Sequence, residues 1–280
     1  MDRAQLLSAL RWQIEAGADE AIGEEGVDRF NMKSAPARPS AAPAPTAPRA
    51  YDVPPAPLAR PSPSPLASRA ATNAEAHGLA GACQSLEDLK AALSAFEGCP
   101  LKKTATNLVF GDGNPKASVM FVGEAPGEDE DRQGVPFVGV SGQLLDRMVK
   151  WIGLDRTNFY ITNILYWRPP GNRTHTAAEV AACRPFIASH IELIATKVIV
   201  FVGGSAANAL LGRADPIGKM RGRWLLYESA MGTIPALATY HPAYLLRSPG
   251  QKREAWRDLL MLRDRLVELG VAPKSEPKSS

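Results

Sequence analysis

Val119-Met-Phe-Val-Gly-Glu124-Ala-Pro-Gly-Glu-Asp-Glu130-Asp131 is an apolar, β-branched run that stops at Gly123 and turns at once into an acidic Pro/Gly loop. Buried parallel strands read as continuous apolar runs, and α/β folds place their ligands at the carboxyl ends of such strands. Glu124 therefore belongs at the lip of a sheet, beside glycines that let backbone approach a ligand closely. The loop continues to Phe137-Val-Gly139 and enters a helix at about Ser141.

Outward from this stretch, strand-like runs lie at 107–110, 117–122, 158–162, 197–202 and 233–239. Helical patterns lie at 85–96, 141–152, 177–195, 205–211 and 252–269. Ser85 is the predicted N-cap of the first, with Glu87 and Asp88 in its opening turn. The alternation predicts an α/β fold, a three-layer α/β/α sandwich around a central, mostly parallel sheet of four to five strands. The loops after Val122, Thr162 and Thr239 then gather on one edge and carry Glu124, Asn163 and His241.

Composition divides the 280 residues unevenly. Eleven of the 24 prolines fall between Pro36 and Pro65, among Ala, Ser and Arg. Such a stretch buries too little apolar surface to offset its ordering entropy. The expected organisation is an N-terminal helical arm over 1–33, a disordered linker over 34–76, a catalytic-size domain over 77–270 and a disordered tail over 271–280. In the arm, Leu6, Leu7, Leu10 and Ile14 share a helical face, which suits either a solvated helix or a docking helix for a protein partner. No apolar run approaches the ~20 residues of a membrane span, and the amino-terminal residues lack a signal-peptide pattern. The net charge of +3 permits a nucleic-acid partner without requiring one. Cys83, Cys99 and Cys183 form no Cys-x-x-Cys pair, so a reduced, cytoplasmic protein is expected.

Taken alone, each rim residue has two readings. His241 is a turn cap before Pro242 or a hydrogen-bond donor to a ligand. Asn163 completes a turn or reads a ligand edge, and Phe137 packs in the core or stacks on a ring. Glu124 binds loop amides or faces the ligand, with Glu130 and Asp131 as reserve acids in the same loop.

Five segments together settle the resemblance. Gly123-Glu-Ala-Pro-Gly-Glu-Asp-Glu-Asp131, Pro136-Phe-Val-Gly139, Ile161-Thr-Asn163, Arg168-Pro-Pro-Gly-Asn-Arg173 and His241-Pro-Ala-Tyr-Leu-Leu-Arg247 resemble the uracil-DNA glycosylases of the family-four type. The similarity spans nearly the whole domain and keeps motif order. It implies release of uracil from DNA by hydrolysis of the N-glycosidic bond, leaving an abasic site for base excision repair. Such an enzyme flips the base, stabilises the departing uracil anion and delivers water. The resemblance makes Glu124 and His241 the catalytic residues, with His241 donating to uracil O2 as a neutral imidazole. It puts Ala125, Phe137, Asn163 and His241 around uracil, with Glu130, Asp131 and Asn172 in support. A buried amide at Asn163 pairs with O4 and N3–H and rejects cytosine, whose donor and acceptor are reversed. Ser141, Leu245, Arg247, Ser248, Lys252 and Arg253 are expected to contact DNA, the leucines of the Leu245-Leu246 pair filling the hole left by the flipped base. The expected partners are uracil-containing DNA and its abasic product, bound by a monomer.

The sequence departs from the family at a metal site. Family-four enzymes usually hold a four-iron four-sulfur cluster with four cysteines. Here Phe96 and Trp167 stand where two of them should be, while Cys99 and Cys183 match the others. Two thiolates do not hold a cluster that takes four. The expectation is no cofactor, with apolar packing in the cluster's place. A related branch traps its product on a histidine in a basic inserted loop; the matching position here is Asn172, with His175 three residues on, so hydrolytic turnover is expected. The rivals are a uracil- or abasic-site binder with slow turnover, a glycosylase of broader base range, and a small-nucleotide α/β enzyme, which lacks a phosphate-binding Gly-x-x-x-x-Gly-Lys loop here.

Overall fold

A computed structural model describes residues 65–271. The chain divides into two units, Met1–Ala59 and Arg60–Ser280, and all of the first lies outside the described residues. The expectations for the arm, most of the linker and the tail therefore lie outside them too.

The order of elements is α1 (Pro65–Gly81), α2 (Leu86–Ala95), β1 (Asp112–Gly113), β2 (Val119–Gly123), α3 (Glu128–Gln133), α4 (Val140–Lys150), β3 (Tyr160–Asn163), α5 (Ala177–Ile194), β4 (Val198–Val202), α6 (Gly204–Leu211), α7 (Ile217–Met220), β5 (Trp224–Ser229), β6 (Gly232–Thr239), α8 (Pro242–Arg247) and α9 (Lys252–Glu268). The sheet has six strands in the order β1-β3-β2-β4-β6-β5. Its four central strands are parallel, and β1 and β5 pair antiparallel at the two edges. The fold class stands as α/β, with a mixed sheet larger than the four to five strands expected.

Alternation along the central strands makes two cores. Met120, Val122, Ile199 and Phe201 pack against Ile187 and Ile191 of α5 and Ala206, Ala207 and Leu210 of α6. Val119, Phe121, Val198 and Val200 pack on the other face against Leu145 and Val149 of α4 and Leu259, Leu262 and Leu266 of α9. Period-two side-chain direction thus gives the three layers. A third core lies beside the sheet, where α1 and α2 close over Leu165, Tyr166 and Trp167 and the Ala182–Phe186 part of α5.

Two expectations change. Residues 65–76, expected as linker, are helical. The segment is alanine-rich, and Ala76 and Ala80 pack into the third core with Ala182, Cys183 and Phe186. Tertiary burial decided what the prolines upstream obscured. The strand expected at 107–110 is irregular, because Val109 and Phe110 are drawn into buried positions and the Val109 N–H donates to the Tyr166 carbonyl, 2.9 Å. The edge strand β5 begins just after Arg221, whose guanidinium is tied up by Asp258 at 2.8 and 3.0 Å and by Glu254 at 3.0 Å.

Candidate active site

Parallel pairing of β3, β2, β4 and β6 brings their carboxyl ends to one edge. Glu124, Asn163 and His241 lie at or just beyond three of those ends and line a single cavity of about 490 Å³. Ala125, Gly127, Glu130, Phe137, Ser141, Asn172, Arg173, Tyr244 and Arg247 complete most of its wall.

Asn163 is 1% exposed, and its Oδ1 is buried without a hydrogen-bond partner. Buried polar atoms are normally paired, and an orphan costs ~1–3 kcal/mol. The base of the pocket explains why glycine stands at 123: a Cβ there would lie 2.4 Å from both Asn163 Oδ1 and the Phe137 ring. Amide and ring therefore converge over bare backbone.

Phe137 is buried and sits at φ 57, in the left-handed region that a bulky side chain rarely occupies. Its carbonyl packs so tightly on α4 that a Cβ on Gly142 would lie 1.9 Å from it. Arg156 clamps this turn, donating to the carbonyls of Pro136 (3.2 Å) and Phe137 (2.9 Å) while pairing with Asp146 and Asp112, each at 3.0 Å. Strain of this kind costs about 1–3 kcal/mol and persists only where surroundings enforce it.

His241 caps α8: its Nδ1 accepts from the Ala243 N–H at 3.1 Å. That bond fixes the tautomer, because an accepting Nδ1 leaves the proton on Nε2. Burial holds the imidazole below its ordinary pKa, with Arg247 adding to the effect and the Glu124 and Glu130 carboxylates opposing it. The cap and the ligand donor are thus one geometry: a neutral ring with an Nε2–H, its plane tilted 32° to Phe137 at 5.9 Å between centroids.

Glu124 is half-buried and hydrogen-bonded to His175, with 2.8 Å between Oε1 and Nδ1. That bond, aided by the Ser205 hydroxyl, outweighs burial and holds the carboxyl below its ordinary range. The two reserve acids serve structure. Glu130 accepts from the N–H groups of Gly127 (3.1 Å), Val138 (2.9 Å) and Gly139 (2.8 Å), stapling the loop that carries Phe137. Asp131 accepts from the N–H groups of Thr106 (2.9 Å) and Asn107 (3.1 Å) and is absent from the cavity wall. Asn172, at φ 54, accepts from Arg168 Nε at 2.8 Å.

Of the residues expected to meet DNA, Arg247, Lys252 and Arg253 are exposed, and Ser141 and Ser248 are half-buried. Leu245 is corrected: it is fully buried against Leu144 and Ala255, because the inner face of the six-residue α8 packs on α4 and α9. Its neighbours Leu246 (40% exposed) and Tyr244 (36%) are the ones that face outward. Sequence reasoning missed Arg156 and Ser205, and considered His175 only for its distance from the position of the product-trapping histidine. Each acts through a partner distant in sequence, although Gly203-Gly204-Ser205 after the apolar β4 run carries the same strand-end signal as Gly123-Glu124.

The third core contains the positions of the family's cluster cysteines. Phe96 and Trp167 are 1% and 3% exposed, and the Phe96 ring lies 5.0 Å from that of Phe186. Cys99 and Cys183 are buried with their sulfurs 3.9 Å apart. The neighbouring Cys99 sulfur and burial push the Cys183 thiol up, so it stays protonated near neutrality. Cys83 turns its sulfur to the Leu79 carbonyl at 3.1 Å. Among the described residues no group of three or more His, Cys, Asp or Glu side chains is placed to hold a metal ion. A four-cysteine cluster does not fit this donor set. Among the same residues no helix is long and apolar enough to cross a membrane.

The family model of the uracil DNA glycosylase superfamily matches residues 110–260. A type-4 uracil-DNA glycosylase of Sulfurisphaera tokodaii is 38% identical over 195 residues, which cover 68% of this chain and 87% of that protein. The type-4 enzyme of Archaeoglobus fulgidus is 41% identical over 175 residues, 61% of this chain and 88% of its own. That of Thermotoga maritima is 43% identical over 151 residues, 54% and 77% respectively.

Proposed function

The chain belongs to the uracil DNA glycosylase superfamily, and from that membership we propose that it hydrolyses the N-glycosidic bond of deoxyuridine in DNA, releasing uracil and leaving an abasic site. The observation that carries this proposal is the orphaned, buried Oδ1 of Asn163 at the cavity wall. Uracil N3–H supplies the missing donor, while its O4 accepts from the Asn163 amide nitrogen. Cytosine presents an acceptor at N3 and a donor at C4, so it leaves both partners unpaired.

Phe137 stacks on the flipped base beside His241. As the glycosidic bond lengthens, negative charge gathers on uracil O2 and positive charge on the sugar. The neutral His241 donates Nε2–H to O2, which stabilises the anion without a full proton transfer. A donor preorganised in a water-poor site acts only where charge develops, and such groups contribute about 10²–10³-fold in rate. Glu124 stabilises the cationic sugar and orients the water that attacks it, the same electrostatic demand that carboxylates meet in glycoside hydrolysis. Asn172, Glu130 and Asp131 hold the surrounding loops. The abasic strand is left uncut, in keeping with a role at the start of base excision repair.

Arg247, Lys252 and Arg253, with the amides at the start of α4 near Ser141, hold phosphates without reading sequence. Ser248 joins them, and Leu246 takes the wedge role that the buried Leu245 leaves open. The protein acts as a monomer in the cytoplasm, and it does so without an iron–sulfur cluster. Phe96, Phe186, Trp167 and the Cys99–Cys183 pair support that last point, since apolar rings occupy positions that ligands would need.

The test incubates the protein with single- and double-stranded oligonucleotides carrying uracil, hypoxanthine or thymine, then scores alkali-labile breaks. Breaks at uracil are expected, with binding that weakens steeply as salt rises. Breaks at hypoxanthine would widen the base range, whereas binding without breaks would make the protein a uracil or abasic-site reader. Visible absorbance of iron–sulfur type in protein purified without oxygen would overturn the cluster-free proposal.

A further inference from the structure

His175 lies outside the roles given so far, yet it hydrogen-bonds the Glu124 carboxylate directly. Its Nδ1 is 2.8 Å from Glu124 Oε1, across 51 residues of chain, and its side chain is only 15% exposed. The segment carrying it is built to hold it still. Thr176, next in sequence, is the N-cap of α5 and exchanges hydrogen bonds with Glu179 in a capping box: Thr176 N–H to Oε2 at 2.7 Å and Glu179 N–H to the Thr176 hydroxyl at 3.2 Å. On the other side, Arg173 forks onto the same Glu179 carboxylate at 2.6 and 3.1 Å. The loop is therefore fastened before and after His175, and the imidazole is delivered to Glu124 with little freedom left to lose.

We propose that His175 is the positioning residue of Glu124, fixing its carboxylate toward the sugar and setting, by its own protonation, how much negative charge Glu124 presents there. This rests on the glycosylase function assigned above. An ionised Glu124 is acceptor-only, so Nδ1 of His175 must carry a proton whether the ring is neutral or charged. The bond thus survives titration of His175; what changes is the charge beside it. A neutral ring leaves the full carboxylate charge to stabilise the cationic sugar, whereas an imidazolium cancels part of it.

The charged groups around this pair come from every neighbouring element. Glu124 from the loop after β2 and Glu179 from α5 favour the imidazolium, while Arg173 from the same loop opposes it. His241, the N-cap of α8, faces Glu124 from across the cavity as a neutral ring, and Ser205 of α6 contributes an uncharged hydroxyl. The Glu124 hydrogen bond prevails and raises the His175 pKa above its ordinary 6.5. The imidazolium therefore dominates below that raised value, and uracil release should climb as pH rises through it.

Single-turnover release and oligonucleotide affinity, measured from acid to mildly alkaline pH, test this with wild type, His175→Ala and His175→Asn. His175→Ala should slow release roughly ten- to hundredfold at its plateau while shifting affinity less than about twofold, as expected for a misplaced reacting group. His175→Asn keeps a donor near the Nδ1 position, so it should recover most of the rate and lose the pH-dependent limb. Unchanged release by His175→Ala, or the same limb in His175→Asn, would overturn the proposal. An imidazole NMR titration gives a second readout that needs no activity. His175 should titrate above 6.5 and fall back in Glu124→Gln; equal values in both proteins would also overturn it. Failure of wild type to release uracil at all would instead strike the glycosylase function itself.

Discussion

Asn163 and Phe137 at the cavity, set against Phe96 and Trp167 in the corner under α1 and α2, show two ways of using buried space. At the cavity a carbonyl is left without a partner and an aromatic residue is held at φ 57. Each feature costs about 1–3 kcal/mol that the folded chain alone does not recover. In the corner the rings of Phe96, Phe186 and Trp167 close over the buried Cys99 and Cys183 sulfurs, and polar atoms find partners: His190 bonds to Tyr160 and Tyr166 at 3.0 and 3.1 Å. Stability is interchangeable between chemistries, so a corner where the family resemblance implies metal ligands can be filled with rings. The cavity admits no such exchange if, as proposed, the orphaned Asn163 carbonyl is held for a ligand.

The largest effect that would sharpen this contrast is in the corner. Phe96→Ala should lower unfolding free energy by about 3–5 kcal/mol in urea, the usual cost of emptying a packed aromatic site. The protein that remains folded should release uracil at the normal rate. Equal losses of stability and rate would break the separation between the two regions. Asn163→Leu should do the reverse. Release should fall on the order of 10²–10³-fold, comparable to the loss of one preorganised polar group, while stability stays level or rises by about 1 kcal/mol as the orphaned carbonyl disappears. A marked loss of stability would mean that the amide is structural.

Arg156→Met probes the clamp on Phe137. Loosening the turn should raise KM about tenfold with a smaller change in kcat, since a stacking platform serves binding more than chemistry. The smallest effect concerns acid. Arg173 and the capping box hold Glu179 down to about 2, against 4.5 for the free group. A depressed folded pKa gives stability that is complete above 4.5 and is lost as pH falls toward 2. Thermal melts should therefore drop over that window, and Glu179→Gln should flatten the fall.

Glu124, Asn163 and His241 were legible in the sequence because each follows a strand, and the change from apolar run to loop is a local signal. The central strands and α2, α5 and α9 were legible for the same reason, through period and capping; Ser85 does accept from the Asp88 N–H, at 3.1 Å. What escaped depends on partners far along the chain. α1 is ordinary alanine-rich sequence until α5 is placed against it. The Leu245-Leu246 pair could not be divided into buried and exposed halves without the packing of α8 on α4. Arg156 and His175 carry no motif of their own, and Ser205 only the strand-end signal after β4; they matter because the fold aims them at Phe137 and Glu124.

The most direct trial of the central claim, that a neutral His241 meets the charge building on uracil O2, is single-turnover release from a uracil-containing oligonucleotide by wild type and His241→Ala under identical conditions. Release by wild type with a drop of about 10²–10³-fold in the variant, at matched DNA affinity, is the predicted result. Release by the variant at the wild-type rate would contradict it.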